Sequence, residues 1–368
     1  MKSLSYRFWF MPLLVLIALF SMLFPSRAVF GADISAKAYL VMEASLGQVT
    51  AAKNESVCLP MASTTKIMTA YLTLQQPDLY EEFTVDRDTI RVEGTSMGLT
   101  EGDTVTLYAL ACGMLLASGN DAANAAAVRI GGSIENFVML MNEQAAKLKM
   151  TQSHFANPSG LPDDRHYSTA YDMALLTAAA LKDPLFREIC GAKKMAVTVS
   201  GQVRHYSNHN RLLSEYDGCI GVKTGFTKKS GRCLVSAAER DGVTLVCVTL
   251  SAPDDWNDHK KLLDAGFDAV EQTVLSPKQE RFSAAVVGGE ADTVDAYLFG
   301  EVCVCLDAKQ AEKVTQEIRM RPFYFAPVYA GALLGEICYY YEGEPIATQL
   351  ILAENESLYQ DAIRSKER

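Results

Sequence analysis

LPMASTTKIMTA, residues 59–70, marks the point where an extended stretch gives way to a helix. From Ser63 onward the apolar positions Ile67, Met68, Tyr71 and Leu72 recur with helical spacing, so a helix is expected to begin close to Ser63. Residues three apart on a helix lie on neighbouring faces, with Cβ atoms about 5–6 Å apart, which puts the Lys66 amine within reach of the Ser63 hydroxyl. A serine needs a partner to take its proton before it becomes a useful nucleophile. Lysine serves as that partner only when neutral, which requires desolvation or a nearby positive charge. The helix N-terminus adds a field that favours negative charge developing beside the serine. The bland alternative makes Ser63 a helix cap and Lys66 a surface charge, and a serine-x-x-lysine pattern is expected by chance about once in a chain of this length.

Working outward, AKAYLVMEASLGQVTAAKNE reads as two short strands around a glycine-containing turn. Residues 104–130 read as an apolar helix, a break at Ser118-Gly119-Asn120 in which Asn-Asp supplies turn and cap, and a second, alanine-rich helix. Two more helical stretches follow, ENFVMLMNEQAAKLKM and TAYDMALLTAAALKD, in a block nearly free of strand signals. After about residue 196 the pattern turns to strands, with CLVSAAERDGVTLVCVTL joined through Asp241-Gly242 as a hairpin, and an amphipathic helix in NDHKKLLDAGFDAV closes the block. Strands at both ends with helices between predict one sheet assembled from the two ends of the domain. From about Pro277 short alternating runs predict a small β-sandwich or barrel, with a linker at Ser276–Glu280.

Two further motifs carry chemistry. Ser118 and Asn120 share one loop, where a hydroxyl and a carboxamide suit proton relay and binding of a peptide group, although helix termination alone explains them equally well. Lys223-Thr224-Gly225 lies in the strand-like run CIGVKTGFT, where a cation, a hydroxyl and a residue without a side chain suit an extended peptide ending in a carboxylate. Each of the three patterns occurs once, in this order, on a helix start, an interhelical loop and a strand; the set belongs to class A β-lactamases and penicillin-binding proteins.

With these motifs, and with HFANPSGLPDDRHYSTAYDMA and GVKTGFTKKSGRCLVSAAERDG beside them, the chain resembles the low-molecular-mass penicillin-binding proteins, serine D-alanyl-D-alanine carboxypeptidases of bacterial envelopes. The resemblance implies an α/β (α+β) β-lactamase/transpeptidase-like catalytic domain, an antiparallel sheet flanked by helices, over 34–272. It further implies an all-β C-terminal domain over 277–355, after a signal peptide over 1–31 and before a tail over 356–368. The implied substrate is a peptidoglycan stem peptide ending in D-Ala-D-Ala, with β-lactam antibiotics as covalent inhibitors. Ser63 would attack, Lys66 would take its proton, and Ser118 would pass a proton to the leaving amine. Lys223 would keep the field positive, Asn120 would position the acyl side and Thr224 would bind the carboxylate. Gly225 would give the substrate room, and the N–H groups of Ser63 and Phe226 would form the oxyanion hole. The arginine that some relatives carry after this strand is missing from SAPDDWNDH, leaving Thr224, Lys223 or Arg232 as carboxylate anchors.

Composition fits this reading. Hydrophobic residues are 49% and charged residues 21% of 368, ordinary for a globular protein. Lys2 and Arg7 precede the apolar run FWFMPLLVLIALFSMLF, and small residues follow, the layout of an export signal cleaved after Ala28, Gly31 or Ala32. Removing residues 1–28 takes the net charge from −10 to −13, a poor balance for binding nucleic acid. The expected location is the outer face of a bacterial cytoplasmic membrane or the cell wall. The short, mixed-charge tail gives little support for a membrane helix and leaves peripheral membrane contact open. Nine cysteines without a C-x-x-C pair, and five histidines without ligand spacing, predict neither a disulfide framework nor a metal site, and no cofactor is expected. Cys303 and Cys305 are expected to share one sheet face as core residues. A serine β-lactamase is disfavoured because no Glu-x-x-Leu-Asn stretch lies between Asn120 and Lys223 to activate a deacylating water. A non-catalytic penicillin sensor and a transpeptidase are the rival functions.

Overall fold

The computed structural model describes residues 33–277, 281–306 and 308–359. The expected export signal and most of the tail lie outside these residues.

Five antiparallel strands form the central sheet: β1 (Ala38–Glu43), β2 (Val49–Lys53), and, after β3 (Phe83–Thr84), β4 (Thr104–Val105), β5 (Lys194–Val199) and β6 (Gln202–Ser207), the trio β7 (Cys219–Thr227), β8 (Gly231–Arg240) and β9 (Val243–Leu250). Their order is β2-β1-β9-β8-β7, so the two ends of the domain meet where β1 pairs with β9. Asp241 and Gly242 both have positive φ, the conformation that the tight β8–β9 turn requires and that Asp-Gly tolerates. Both faces of β9 are covered. Val246, Val248 and Leu250 join the helical core, while Thr249 hydrogen-bonds His259 of the helix Asp255–Ala269.

Helix Lys66–Leu74 runs through the middle of the domain, with Lys66, Ile67, Met68, Thr69, Ala70, Thr73 and Leu74 all buried. Around it stand the helices Leu107–Leu115, Asn120–Gly131, Ile134–Lys147, Ala170–Ala180 and Pro184–Gly191. Several starts are capped as their residues dictate: Thr106, Ser133 and Thr169 each accept an N–H three residues on, and Asp183 caps a helix whose first residue is Pro184. Asn120 and Asp121 do not cap; the N-cap is Gly119, and both side chains are used across the fold. The middle block is helical as expected and ends with the further helix Pro184–Gly191; the β5–β6 hairpin follows close to residue 196, where the strand pattern begins, and turns at Ser200-Gly201.

The C-terminal region contains β10 (Thr273–Leu275), β11 (Phe282–Val287), β12 (Thr293–Phe299), β13 (Val302–Val304), β14 (Thr315–Met320), β15 (Tyr324–Phe325), β16 (Leu333–Tyr341) and β17 (Glu344–Ala353). Six of them form one sheet in the order β14-β16-β17-β12-β11-β15, and β10 pairs with β13. Along β11, Phe282, Ala284 and Val286 point inward and alternate with exposed Ser283, Ala285 and Val287. Leu275 of β10 already belongs to this core, so the chain joins the C-terminal region by Thr273, ahead of the turn residues that suggested a later start. Cys305 is buried but Cys303 is exposed. The strand ends at Val304, so the alternation that would have paired the two thiols on one face stops between them.

Candidate active site

Ser63 sits in a turn of 3-10 helix, Ala62–Thr65, that feeds directly into helix Lys66–Leu74. Ser63 makes no capping bond, which disposes of the bland reading of that residue. Lys66 is 0% exposed and therefore no surface charge. Its Nζ lies 3.0 Å from Ser63 Oγ, 2.6 Å from Asn120 Oδ1 and 2.6 Å from the carbonyl oxygen of Ser159. Burial, and secondarily the charge of Lys223, hold the Lys66 amine well below the ordinary lysine range. An amine so shifted, beside a serine hydroxyl, meets the geometric and electrostatic requirements of a general base.

Ser118 and Asn120 stand at the break between helices Leu107–Leu115 and Asn120–Gly131, with Ser118 at φ +59° and both side chains buried. Asn120 donates through Nδ2 to the carbonyl of Glu93 at 2.6 Å, which directs its Oδ1 to Lys66. Asp121 accepts from the N–H groups of Met97, Gly98 and Leu99 and from Ser96 Oγ, tying residues 96–99 to the start of this helix.

Lys223 is 1% exposed and its Nζ donates to the carbonyl of Thr224 at 3.0 Å. Burial pushes its amine down to about 7. Gly225 was expected to leave room for a substrate, but its near neighbour is the nucleophile's own turn. A Cβ on Gly225 would stand 3.0 Å from Ser63 N, 3.1 Å from Ala62 Cβ and 3.1 Å from Met61 O. The missing side chain thus lets β7 lie against Ser63. Phe226 is 65% exposed, placing its ring at the rim. Arg232, a candidate carboxylate anchor, is already opposed by Asp255 at 2.9 Å and lies over the Trp256 ring.

Sequence reasoning missed the segment 157–161, whose Ser159 carbonyl reaches Lys66, and His166, which is buried and bonded to Thr65 Oγ1 and to the N–H of Ala156. Burial pushes the His166 imidazole down to about 4, so it is neutral and braces the serine turn. The turn residues in Asn-Pro-Ser-Gly were a signal for a loop, but nothing in them pointed to residue 66. No group of three or more metal-ligating side chains occurs among the described residues.

A mixed sheet-and-helix domain with serine, lysine and asparagine joined in one buried cleft defines the penicillin-recognising class of serine acyl transferases. Residues 25–254 match the D-alanyl-D-alanine carboxypeptidase family, and residues 271–357 match the C-terminal domain of penicillin-binding protein 5. The D-alanyl-D-alanine carboxypeptidase DacF of Bacillus subtilis is 30% identical over 332 residues, 87% of this chain and 85% of that protein. Penicillin binding protein 5 of Haemophilus influenzae superposes with a TM-score of 0.64 at 26% identity, covering 90% of this chain and 100% of that one. The DD-transpeptidase of Streptomyces K15 superposes with a TM-score of 0.62 at 30% identity over 65% of this chain and all of its own. The chain belongs to the D-alanyl-D-alanine carboxypeptidase family.

Proposed function

We propose that the chain is a serine D-alanyl-D-alanine carboxypeptidase that removes the terminal D-alanine of peptidoglycan stem peptides through an acyl-enzyme on Ser63. The observation that carries this is the fully buried Lys66 amine 3.0 Å from Ser63 Oγ, where burial and the charge of Lys223 favour its neutral form. Lys66 takes the Ser63 proton as the oxygen attacks the carbonyl between the two D-alanines. The oxyanion is received by the N–H groups of Ser63 and Phe226. Ser118 passes a proton to the departing amine, D-alanine leaves, and water then hydrolyses the ester. Asn120 holds Lys66 and the acyl side. Thr224 and Lys223 receive the terminal carboxylate, whose negative charge favours the ammonium form of a Lys223 otherwise at about 7. A β-lactam presents a similar carbonyl and carboxylate and acylates Ser63.

The chain acts outside the cytoplasmic membrane, on the strength of the basic start, apolar run and small residues of its first 32 positions. Wild type is expected to release D-alanine from a peptide ending in D-Ala-D-Ala and to bind penicillin covalently, and Ser63→Ala to do neither. Failure of wild type in both assays sinks the reading. An added amine that appears in the product identifies transfer in place of hydrolysis.

A further inference from the structure

The Lys66 amine has three polar neighbours, and two of them, Asn120 Oδ1 and the Ser159 carbonyl oxygen, are acceptors only. A neutral amine has two N–H bonds and one lone pair. If both acceptors are served, both N–H bonds are used, and the lone pair is left facing the third neighbour, Ser63 Oγ, whose O–H then donates into it. Rotation about the terminal C–N bond, which would otherwise spread the lone pair over several directions, is removed. The Ser159 carbonyl is therefore as necessary to this aim as the Asn120 carboxamide.

That carbonyl belongs to no helix or strand, so something else must hold it. Asn157 Oδ1 accepts from the N–H groups of Ser159 at 3.2 Å, Gly160 at 2.8 Å and Leu161 at 3.1 Å, and its Nδ2 donates to the Leu161 carbonyl at 2.9 Å. One side chain thus closes the whole turn around residue 159, the known talent of asparagine at such places. The turn is pressed against the nucleophile's segment: Thr69 Oγ1 donates to the Pro158 carbonyl at 2.6 Å, and a Cβ on Gly160, at φ +86°, would stand 1.9 Å from the Ala62 carbonyl oxygen. Two successive carbonyls, 158 and 159, are delivered to one face of helix Lys66–Leu74.

We propose that Asn157 is a positioning residue for acyl transfer: by fixing the Ser159 carbonyl it occupies the second N–H of neutral Lys66 and turns the lone pair toward Ser63. This rests on the reading of Lys66 as the base. The test uses the full chain, a fluorescent penicillin to time acylation, and a D-Ala-D-Ala peptide for kcat and KM. Asn157→Ala is expected to slow acylation about 10–100-fold while KM stays within about twofold, because a misaimed base affects the chemical step more than binding. Asn157→Asp offers an oxygen to the same three N–H groups but sets its second oxygen against the Leu161 carbonyl that Nδ2 bonds, and is expected to recover part of the loss, to a rate clearly above that of the alanine variant. It is compared at the alkaline plateau of its own pH profile, because an added carboxylate favours the ammonium form of a nearby lysine. If Asn157→Ala yields no folded protein, Asn157→Ser replaces it, with an intermediate rate expected. An alanine variant as fast as wild type, or alanine and aspartate variants equally slow, overturns the proposal. A wild-type chain that takes up no penicillin instead overturns the acyl-transfer reading beneath it.

Discussion

In the catalytic domain Lys66, Lys223, Asn120, Asp121, Asp172, His166 and His259 lie beneath the surface; among the described residues beyond Leu275, the buried polar residues are Gln349 and Ser357. In the C-terminal sheet β11 and β12 alternate, turning Phe282 and Val294 to a core that Ile337 and Ile351 share and the intervening residues to water. The catalytic domain carries groups that burial disfavours; Lys66, Asp121, Asp172, His166 and His259 are held by partners from other segments, whereas Lys223 bonds the neighbouring Thr224 carbonyl. An amine that must be neutral has to be taken out of water, and the partners that make this tolerable also aim it.

The largest effect expected on this contrast is at the base. Lys66→Ala should slow penicillin acylation by about 10²–10⁴-fold, with the fold kept as judged by circular dichroism. Unchanged labelling would return Lys66 to the rank of a structural residue. In the plain sheet the expected response is in stability: Ile337→Ala, at a site 0% exposed, should cost about 2–5 kcal/mol in denaturant titration of the C-terminal region. Acylation of Ser63 should stay at the wild-type rate under native conditions.

A smaller effect of opposite sign is expected at Lys223. Its native-state amine, at about 7, lies below the unfolded value of 10.5, so between those pH values the unfolded chain holds a proton that the native chain lacks. Stability of the wild type should therefore rise with pH across that window, and the destabilising effect of Lys223 should be complete below about 7. Lys223→Met should accordingly stabilise the protein by about 1–3 kcal/mol at pH 6, with the gain fading toward pH 10, while acylation slows. Equal stability of the two proteins at pH 6 would show that the buried amine carries no cost. The smallest effect is predicted for Cys303→Ser, an exposed position, within about 0.5 kcal/mol by thermal melting.

The same contrast governs how much was legible in the residues. Alternation in β11 and β12 and the Asp-Gly turn between β8 and β9 state their structures locally, because side-chain direction and turn geometry are set by neighbours in the chain. The three short motifs named Ser63, Lys66, Asn120 and Lys223, and the fold brings those residues together. Ser63 as a cap, Asp121 as a cap and Cys303 as a core residue were reasonable local readings, and each failed where a remote segment or a strand end intervened.

The sequence by itself determined the strand and helix periods, the tight turns and the identity of the chemical groups, since these depend on residue type and on spacing of a few positions. Only the tertiary structure decided that residues 66, 120, 159 and 223 are buried close together. The lowered lysine pKa, the aim of its lone pair and the space that Gly225 leaves for Ser63 all follow from that approach. Desolvation, Coulomb coupling and hydrogen-bond direction act through space, between segments 54 and 93 residues apart along the chain.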